Sequence, residues 1–259
     1  MKLQSVELRV PDVAKTAEFF EKVWGLTAVG GGKLRGTAAL PYIIGLEPGA
    51  PSIRSITFCA PRPELKEERA VKGPDGETYR FVFEQPTAPL PPDRDRPIQL
   101  SHVVLNSKDA DAAERFATEK LGFRLSDRTK IMSFVRCNRT HHCIAYARGG
   151  FSSLHHIAFE MQSLDSVMRG IGRLKDAGYA PVWGPGRHGP GNNVFGYFIG
   201  PHGGVIEYTA EVEEVDEDYR VGGPDDWKWP PGRVDHWGVS KRDETKLRSA
   251  ETSFRFRAG

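Results

Sequence analysis

At 259 residues, with 39% apolar and 27% charged side chains, the chain has material for one large core or two modest ones. A formal net charge of +2 without Lys/Arg runs gives no basic field for nucleic acid, and no apolar stretch approaches the ~20 residues of a membrane span. Cys59, Cys137 and Cys143 are odd in number and lack metal-ligand spacing, so they read as reduced thiols. The start, Met1-Lys-Leu-Gln-Ser-Val-Glu7, lacks the apolar core of a signal peptide, and a cytoplasmic protein is expected.

In chain order, a short alternating strand opens at Leu3-Gln-Ser-Val-Glu-Leu8, followed by a helix with Val13, Ala17 and Phe20 on one face and Asp12 as its N-cap. A weaker unit runs from Ser52 to Glu84, with Glu64–Arg69 as a shortened helix. Thr87–Pro97 is Pro-rich and charged, and suits a linker. The opening pattern returns at Leu100-Ser-His-Val-Val-Leu105, with Ala113, Phe116 and Ala117 on the helix. It returns again at Leu154-His-His-Ile-Ala-Phe159, with Ser163 as cap and Leu164, Val167, Met168, Ile171 and Leu174 as the apolar face. Further strands are expected at Ile131–Val135, His142–Ala147, Val194–Ile199 and Val205–Thr209.

The first and second units align without a gap at an offset of 97, which places Leu3 on Leu100, Phe19 on Phe116 and Trp24-Gly25-Leu26 on Leu121-Gly122-Phe123. The reading is an α+β protein of four β-α-β-β-β modules paired into two similar domains. The expected boundaries are 1–95 (metal-free domain with linker), 96–212 (metal-binding domain) and 213–259 (tail). In the tail, Trp227 and Trp229 are expected to pack back on the second domain, and the basic stretch Lys241–Arg257 is expected to be mobile.

All eight histidines lie at or after position 102, and seven fall between His102 and His202. Histidine is the commonest catalytic-metal ligand. The repeat sharpens this: His102 corresponds to Ser5, and His156 occupies the same place in the third unit. Glu207, aligned through Gly203 and Gly76, falls on Arg80. One half keeps ligands that the other lacks. Two His and one carboxylate on one face of an octahedron are the pattern of non-haem Fe(II) sites, and they leave three adjacent positions for substrate and O2.

These residues resemble the type I extradiol ring-cleaving dioxygenases of the vicinal-oxygen-chelate superfamily. Ser101-His102-Val-Val-Leu is similar to the family's first ligand segment, Leu154-His155-His156-Ile-Ala-Phe to its second, and Tyr197-Phe-Ile-Gly-Pro-His-Gly-Gly-Val-Ile-Glu207 to its closing signature. Trp183-Gly-Pro-Gly-Arg-His188-Gly resembles the homoprotocatechuate branch. The resemblance implies Fe(II), with Mn(II) as a second ion for the same ligands, held by His102, His156 and Glu207. It implies His142 as acid/base, His188 and Tyr197 as groups that steady the catecholate oxygens, and a homo-oligomer acting on a catechol and O2.

Gly196 and Gly200 depart from the family, which carries a bulky apolar residue and Asp or Asn there. Trp183 stands where a basic residue would clamp a substrate carboxylate, which favours an uncarboxylated or apolar-substituted catechol. His141 and His202 read as solvated or structural, His155 as facing away from the site, and His236 as a tail residue without a catalytic role. The segment from Gly184 to Gly191, interleaved with Pro185 and Pro190, reads as a turn-rich lid or pocket wall. Two alternatives stay open: a metal-dependent isomerase or lyase of the glyoxalase type, and a non-catalytic small-molecule-binding protein of the antibiotic-sequestering kind.

Overall fold

The computed structural model describes residues 1–256. Two sheets carry the chain. The first contains β1 (Lys2–Val10), then α1 (Val13–Lys22) on its face, β2 (Thr27–Gly30), β3 (Lys33–Arg35), β4 (Ile44–Pro48), β5 (Ser52–Ala60), β6 (Arg69–Lys72) and β7 (Thr78–Phe83). The second contains β8 (Leu100–Ser107), α2 (Ala110–Glu119), β9 (Arg124–Arg128), β10 (Met132–Arg136), β11 (Ile144–Arg148) and β12 (Ser153–Glu160). It continues with α3 (Leu164–Asp176), β13 (Trp183–Arg187), β14 (Val194–Ile199) and β15 (Val205–Ala210), and α4 (Glu244–Ser253) follows it in the tail.

Strand orders are β2-β3-β4-β1-β5-β7-β6 and β13-β14-β15-β12-β8-β11-β10-β9. In each sheet two modules meet at a central antiparallel pair, β1 with β5 and β8 with β12. The paired vicinal-oxygen-chelate architecture is therefore present twice. Asp12 and Ser163 cap their helices as expected, accepting from the backbone N–H of Lys15 (2.9 Å) and Ser166 (3.2 Å).

The second module of the first sheet departs from expectation: Glu64–Arg69 is not helical. Pro61 and Pro63 confine the chain to a turn, in which Leu65 alone is buried, and Arg69 already pairs with Phe81 in β6. Five charged residues in six give no apolar face to dock a helix.

Alternation along each strand divides its side chains. Val103, Leu105, Ile157, Phe159, Ile206 and Tyr208 turn to a core that runs through both domains. At its centre Trp24, fully buried after α1, stacks on Tyr208 with ring centroids 3.8 Å apart. Tyr208 Oη donates to the Trp24 carbonyl (2.5 Å), and Arg173 on α3 donates to the Val23 carbonyl (3.0 Å). The opposite face of the second sheet carries two smaller apolar clusters. One holds Val104, Phe134, Ala145 and Ala147; the other holds Val182, Trp183, Phe195, Tyr197 and Val205 with Leu247 and Ala250 of α4.

The tail corrects the expectation for Lys241–Arg257. Residues 244–253 form α4, with Leu247 and Ala250 buried and Phe254 at 1% exposure just after it. These residues recur at three- and four-residue steps, so a genuine apolar face was masked by the surrounding charge. Arg257 lies outside the described residues. Trp227 and Trp229 do pack back, against Gly189 in the loop after β13.

Candidate metal centre

His102 on β8, Ala158 on β12 and Glu207 on β15 are cross-strand partners in one row of the second sheet, and His156 lies two residues before Ala158. Three strands therefore aim three ligand groups at one point, on the rigid elements such a site needs. His156 Nε2 is 3.0 Å from Glu207 Oε2, and His102 Nε2 is 3.4 Å from both Glu207 Oε2 and His156 Nε2. With ligand bonds of about 2.1 Å, one triangular face of a coordination sphere has edges of about 3.0–3.4 Å. The triangle has that size, and its ligand atoms all lie within 4.8 Å of one another.

The charges fit an ion as well. Glu207 is fully buried and its Oε2 has no hydrogen-bond partner. Burial alone would raise its pKa, but the two imidazoles beside it outweigh that and hold the carboxyl well below its usual range. Burial, countered in part by Glu207, lowers His156 and keeps its imidazole neutral, the form that binds a metal.

Each ligand is oriented from behind. Ser101 Oγ sits 3.0 Å from His102 Nδ1. Asn193 Nδ2 donates to Glu207 Oε1 (3.4 Å) and to Thr209 Oγ1 (2.7 Å). His155 Nδ1 lies 2.8 Å from His156 Nδ1, and the far nitrogen of His155 is 3.2 Å from Glu251 of α4. His155 does not point away from its neighbour as strict alternation would require. A bulge between Leu154 and His156 interrupts the register with β8 and lets the two rings meet.

The remaining expected residues converge on this point. His142, in the loop before β11, packs its ring 4.3 Å from that of His102. Tyr197 is the cross-strand partner of Glu207, and its Oη lies 2.9 Å from His188 Nε2, which is itself 4.0 Å from Glu207 Oε1. Burial, with the other imidazoles adding to it, holds His142 well below the usual histidine range. Burial also takes His188 down to about 3, against the opposing pull of Glu207, and raises Tyr197 well above its ordinary value. At neutral pH all three are uncharged hydrogen-bonding groups. The His188 side chain is 21% exposed against 3–4% for the ligand imidazoles, which marks the mouth of the site.

The departures at Gly196 and Gly200 are compensated locally. A Cβ at Gly196 would stand 2.9 Å from Ile171 Cδ1, so Ile171 fills that space. A Cβ at Gly200 would meet the His202 ring at 2.4 Å. His202 is structural and buried, not solvated, and its ring packs between Phe20 and Phe254. His141 is likewise fully buried, hydrogen-bonded to Asp127. Of the segment expected as a turn-rich lid or pocket wall, the first half is strand β13, and Gly191 (φ +77°) packs directly on the His142 and His141 rings. Trp183 stacks on Tyr197 at 5.2 Å and carries the Arg242 guanidinium 5.1 Å from its ring centre. Asp127, Asn193, Arg242 and Glu251 were not singled out from sequence, because each stands far along the chain from the residue it serves and matches no spacing.

The first sheet repeats the geometry without the ligands. Ser5, Thr57 and Arg80 form the row that corresponds to His102, Ala158 and Glu207, and Ser55 takes the place of His156. Glu7 accepts from Ser5 (2.8 Å), Ser55 (2.5 Å) and Thr57 (3.2 Å), which closes the cluster on itself.

Comparison with known proteins agrees with the architecture. The profile of the Glyoxalase/Bleomycin resistance protein/Dioxygenase superfamily matches residues 99–208. Metapyrocatechase 2 of Cupriavidus necator is 32% identical over 139 residues, 52% of this chain and 41% of its own length. The chain spans less than half the length of the curated relatives it matches. The structure of the Mn(II)-bound glyoxalase from Novosphingobium aromaticivorans superposes with a TM-score of 0.85 at 31% identity, over 95% of this chain and 93% of that one. A halotolerant catechol dioxygenase shares the fold at a TM-score of 0.81 and 20% identity, over 96% and 97%. The chain belongs to the glyoxalase/bleomycin resistance protein/dioxygenase superfamily, and over its second half it resembles that superfamily's extradiol catechol-dioxygenase branch.

Proposed function

We propose that this protein is an extradiol dioxygenase that opens the ring of a catechol with O2, using Fe(II) or Mn(II) held by His102, His156 and Glu207. One observation carries the reading: a two-His, one-carboxylate face, closed behind by Ser101, His155 and Asn193, borders three uncharged groups, His142, His188 and Tyr197. Such a face leaves three adjacent positions on the ion, enough for both catechol oxygens and O2. When bound, the metal supplies a Lewis-acidic centre at which the diol loses protons readily and the two reactants meet. His142 accepts a proton from a substrate hydroxyl and later returns one. His188 and Tyr197 donate hydrogen bonds to substrate oxygens as charge develops on them. The apolar walls of Val104, Phe134, Ala145, Phe195 and Val205 exclude water.

The walls favour a catechol with an apolar substituent or none, and Trp183 adds to the apolar side although Arg242 brings a cation to its face. In this reading residues 1–95 are scaffold and 96–212 carry the chemistry. Self-association and a cytoplasmic location are part of the proposal. Among the described residues no helix is long and apolar enough to cross a membrane.

A second reading is favoured by the relative that is 31% identical over 95% of this chain, which is named a glyoxalase. The same face could polarise two neighbouring oxygens of a substrate for isomerisation, with no O2 consumed. Oxygen uptake separates the two. Protein loaded anaerobically with Fe(II) or Mn(II) and mixed with catechols is expected to consume O2 and form yellow ring-opened product. Glu207→Ala should lose metal and activity together. Conversion of a hemithioacetal without oxygen uptake would instead support the second reading.

A further inference from the structure

His141 was not assigned a role, yet it is buried between two groups that matter. Its Nε2 is 2.6 Å from Asp127 Oδ2, and its Nδ1 is 3.0 Å from His142 Nδ1. Asp127 is fully buried on β9 and is held from the tail: the Gly222 N–H donates to its Oδ1 (2.6 Å) and the Tyr219 hydroxyl to its Oδ2 (3.1 Å). The His141 backbone is fixed too, because its N–H donates to the Glu213 carbonyl (2.8 Å) and its carbonyl accepts from Ser126 Oγ.

Counting donors along this chain gives one consistent pattern for neutral rings. An ionised carboxylate can only accept, so His141 carries its proton on Nε2. Its Nδ1 is then a lone pair and must accept, so His142 carries its proton on Nδ1. The remaining nitrogen of His142, Nε2, is left with a lone pair on the ring that packs against His102.

We propose that Asp127 and His141 are positioning residues that lock His142 in the Nδ1–H tautomer, with Nε2 presented as a proton acceptor. The proposal deepens the dioxygenase reading and rests on it for its kinetic consequence, though the tautomer itself does not. It also gives the segment 213–222 a function: that segment holds the carboxylate from which the pattern starts.

Asp127→Asn reverses the pattern. The buried Gly222 N–H requires an acceptor, so the Asn carbonyl takes the Oδ1 place and the amide nitrogen faces His141 Nε2. The amide donates, His141 shifts its proton to Nδ1 and donates to His142 Nδ1, and His142 Nε2 becomes N–H. The experiment is long-range 15N–1H correlation on histidine-labelled, Zn(II)-loaded full-length protein, with kcat, KM and metal content of the Fe(II) form alongside. We expect Nδ1–H for His142 in the unsubstituted protein and Nε2–H in Asp127→Asn. We also expect kcat to fall about 10²–10⁴-fold with KM within a few-fold and metal content unchanged. A His142 proton on Nε2 in the unsubstituted protein overturns the proposal, and that spectrum decides even if the variant does not fold. So does an Asp127→Asn that changes tautomer and keeps its kcat. A protein inert towards every catechol would sink the dioxygenase reading while the tautomers still answer for the chain.

Discussion

Ser101→Ala tests whether the groups behind the ligands tune the site. The hydroxyl stands 3.0 Å from His102 Nδ1 in a position 8% exposed, and His102 itself is 2% exposed, so water cannot readily replace it. For Nε2 to meet a metal, neutral His102 must carry its proton on Nδ1, and Ser101 Oγ accepts that proton's hydrogen bond. Without it a buried N–H is left unpaired, at a cost of about 1–3 kcal/mol. The metal-free protein escapes that cost by moving the proton to Nε2, 3.4 Å from Glu207 Oε2, so the penalty falls on the metal-bound state. Loss of a group that orients a ligand typically weakens metal affinity about 10–100-fold, or about 1.4–2.8 kcal/mol, and the two routes agree. Competition against a fluorescent chelator with Mn(II) reads the affinity directly. Ser101→Thr, which keeps the hydroxyl, should stay near the unsubstituted value. A Ser101→Ala protein with unchanged Mn(II) affinity would refute the orienting role.

Three further outcomes are expected. Ile171→Ala should cost about 2–5 kcal/mol and Gly196→Val about 1–3. Together they should cost at least ~1 kcal/mol less than their sum in urea unfolding, because the valine methyls enter the vacated space, and strict additivity would show that Ile171 does not compensate for Gly196. Burial takes His202 down to about 4, so between pH 6.5 and 4 the unfolded chain binds a proton that the native state refuses. Stability is thus present above about pH 6.5 and lost as pH falls towards 4, by at most about 3 kcal/mol, and His202→Phe should flatten that slope in pH-dependent unfolding. Leu247→Ala should destabilise the packing of α4 by about 2–5 kcal/mol and speed amide exchange in residues 244–253; no change would mean the helix is not docked.

The site was legible wherever a ligand sits in a repeated strand. His102, His156 and Glu207 could be compared with Ser5 and Arg80, because duplication conserves register and one register row carries the chemistry. What supports those ligands was not legible. Asp127 reaches His141 across 14 residues and meets Tyr219 across 92, and no periodicity links such positions. His155 defeated strict alternation because a bulge is set by local backbone geometry that side-chain patterning does not encode. Helix α4 was misjudged for a different reason: charge dominates its composition, while three apolar residues at helical steps suffice to dock it. At Glu64–Arg69 the error ran the other way, since a module repeat implied a helix for which Leu65 is the one apolar side chain available to bury.

The empty copy of the site leads to a stoichiometry. In the first sheet the three ligand places hold Ser5, Ser55 and Arg80, two neutral hydroxyls and a cation that would repel a divalent ion. Glu7, which takes the place of Val104 in the repeat, could in principle offer a carboxylate. Its oxygens, however, already accept from Ser5, Ser55 and Thr57, and a metal would have to displace those bonds with one charged ligand instead of three donors on a face. One metal per chain is therefore expected by elemental analysis after equilibration with Fe(II) or Mn(II) and removal of excess ion. Glu207→Gln should fall close to zero, and Glu7→Gln should stay at one. A second tightly held equivalent in the unsubstituted protein, or one equivalent retained by Glu207→Gln, would mean that the duplicated sheet kept a metal site its side chains do not display.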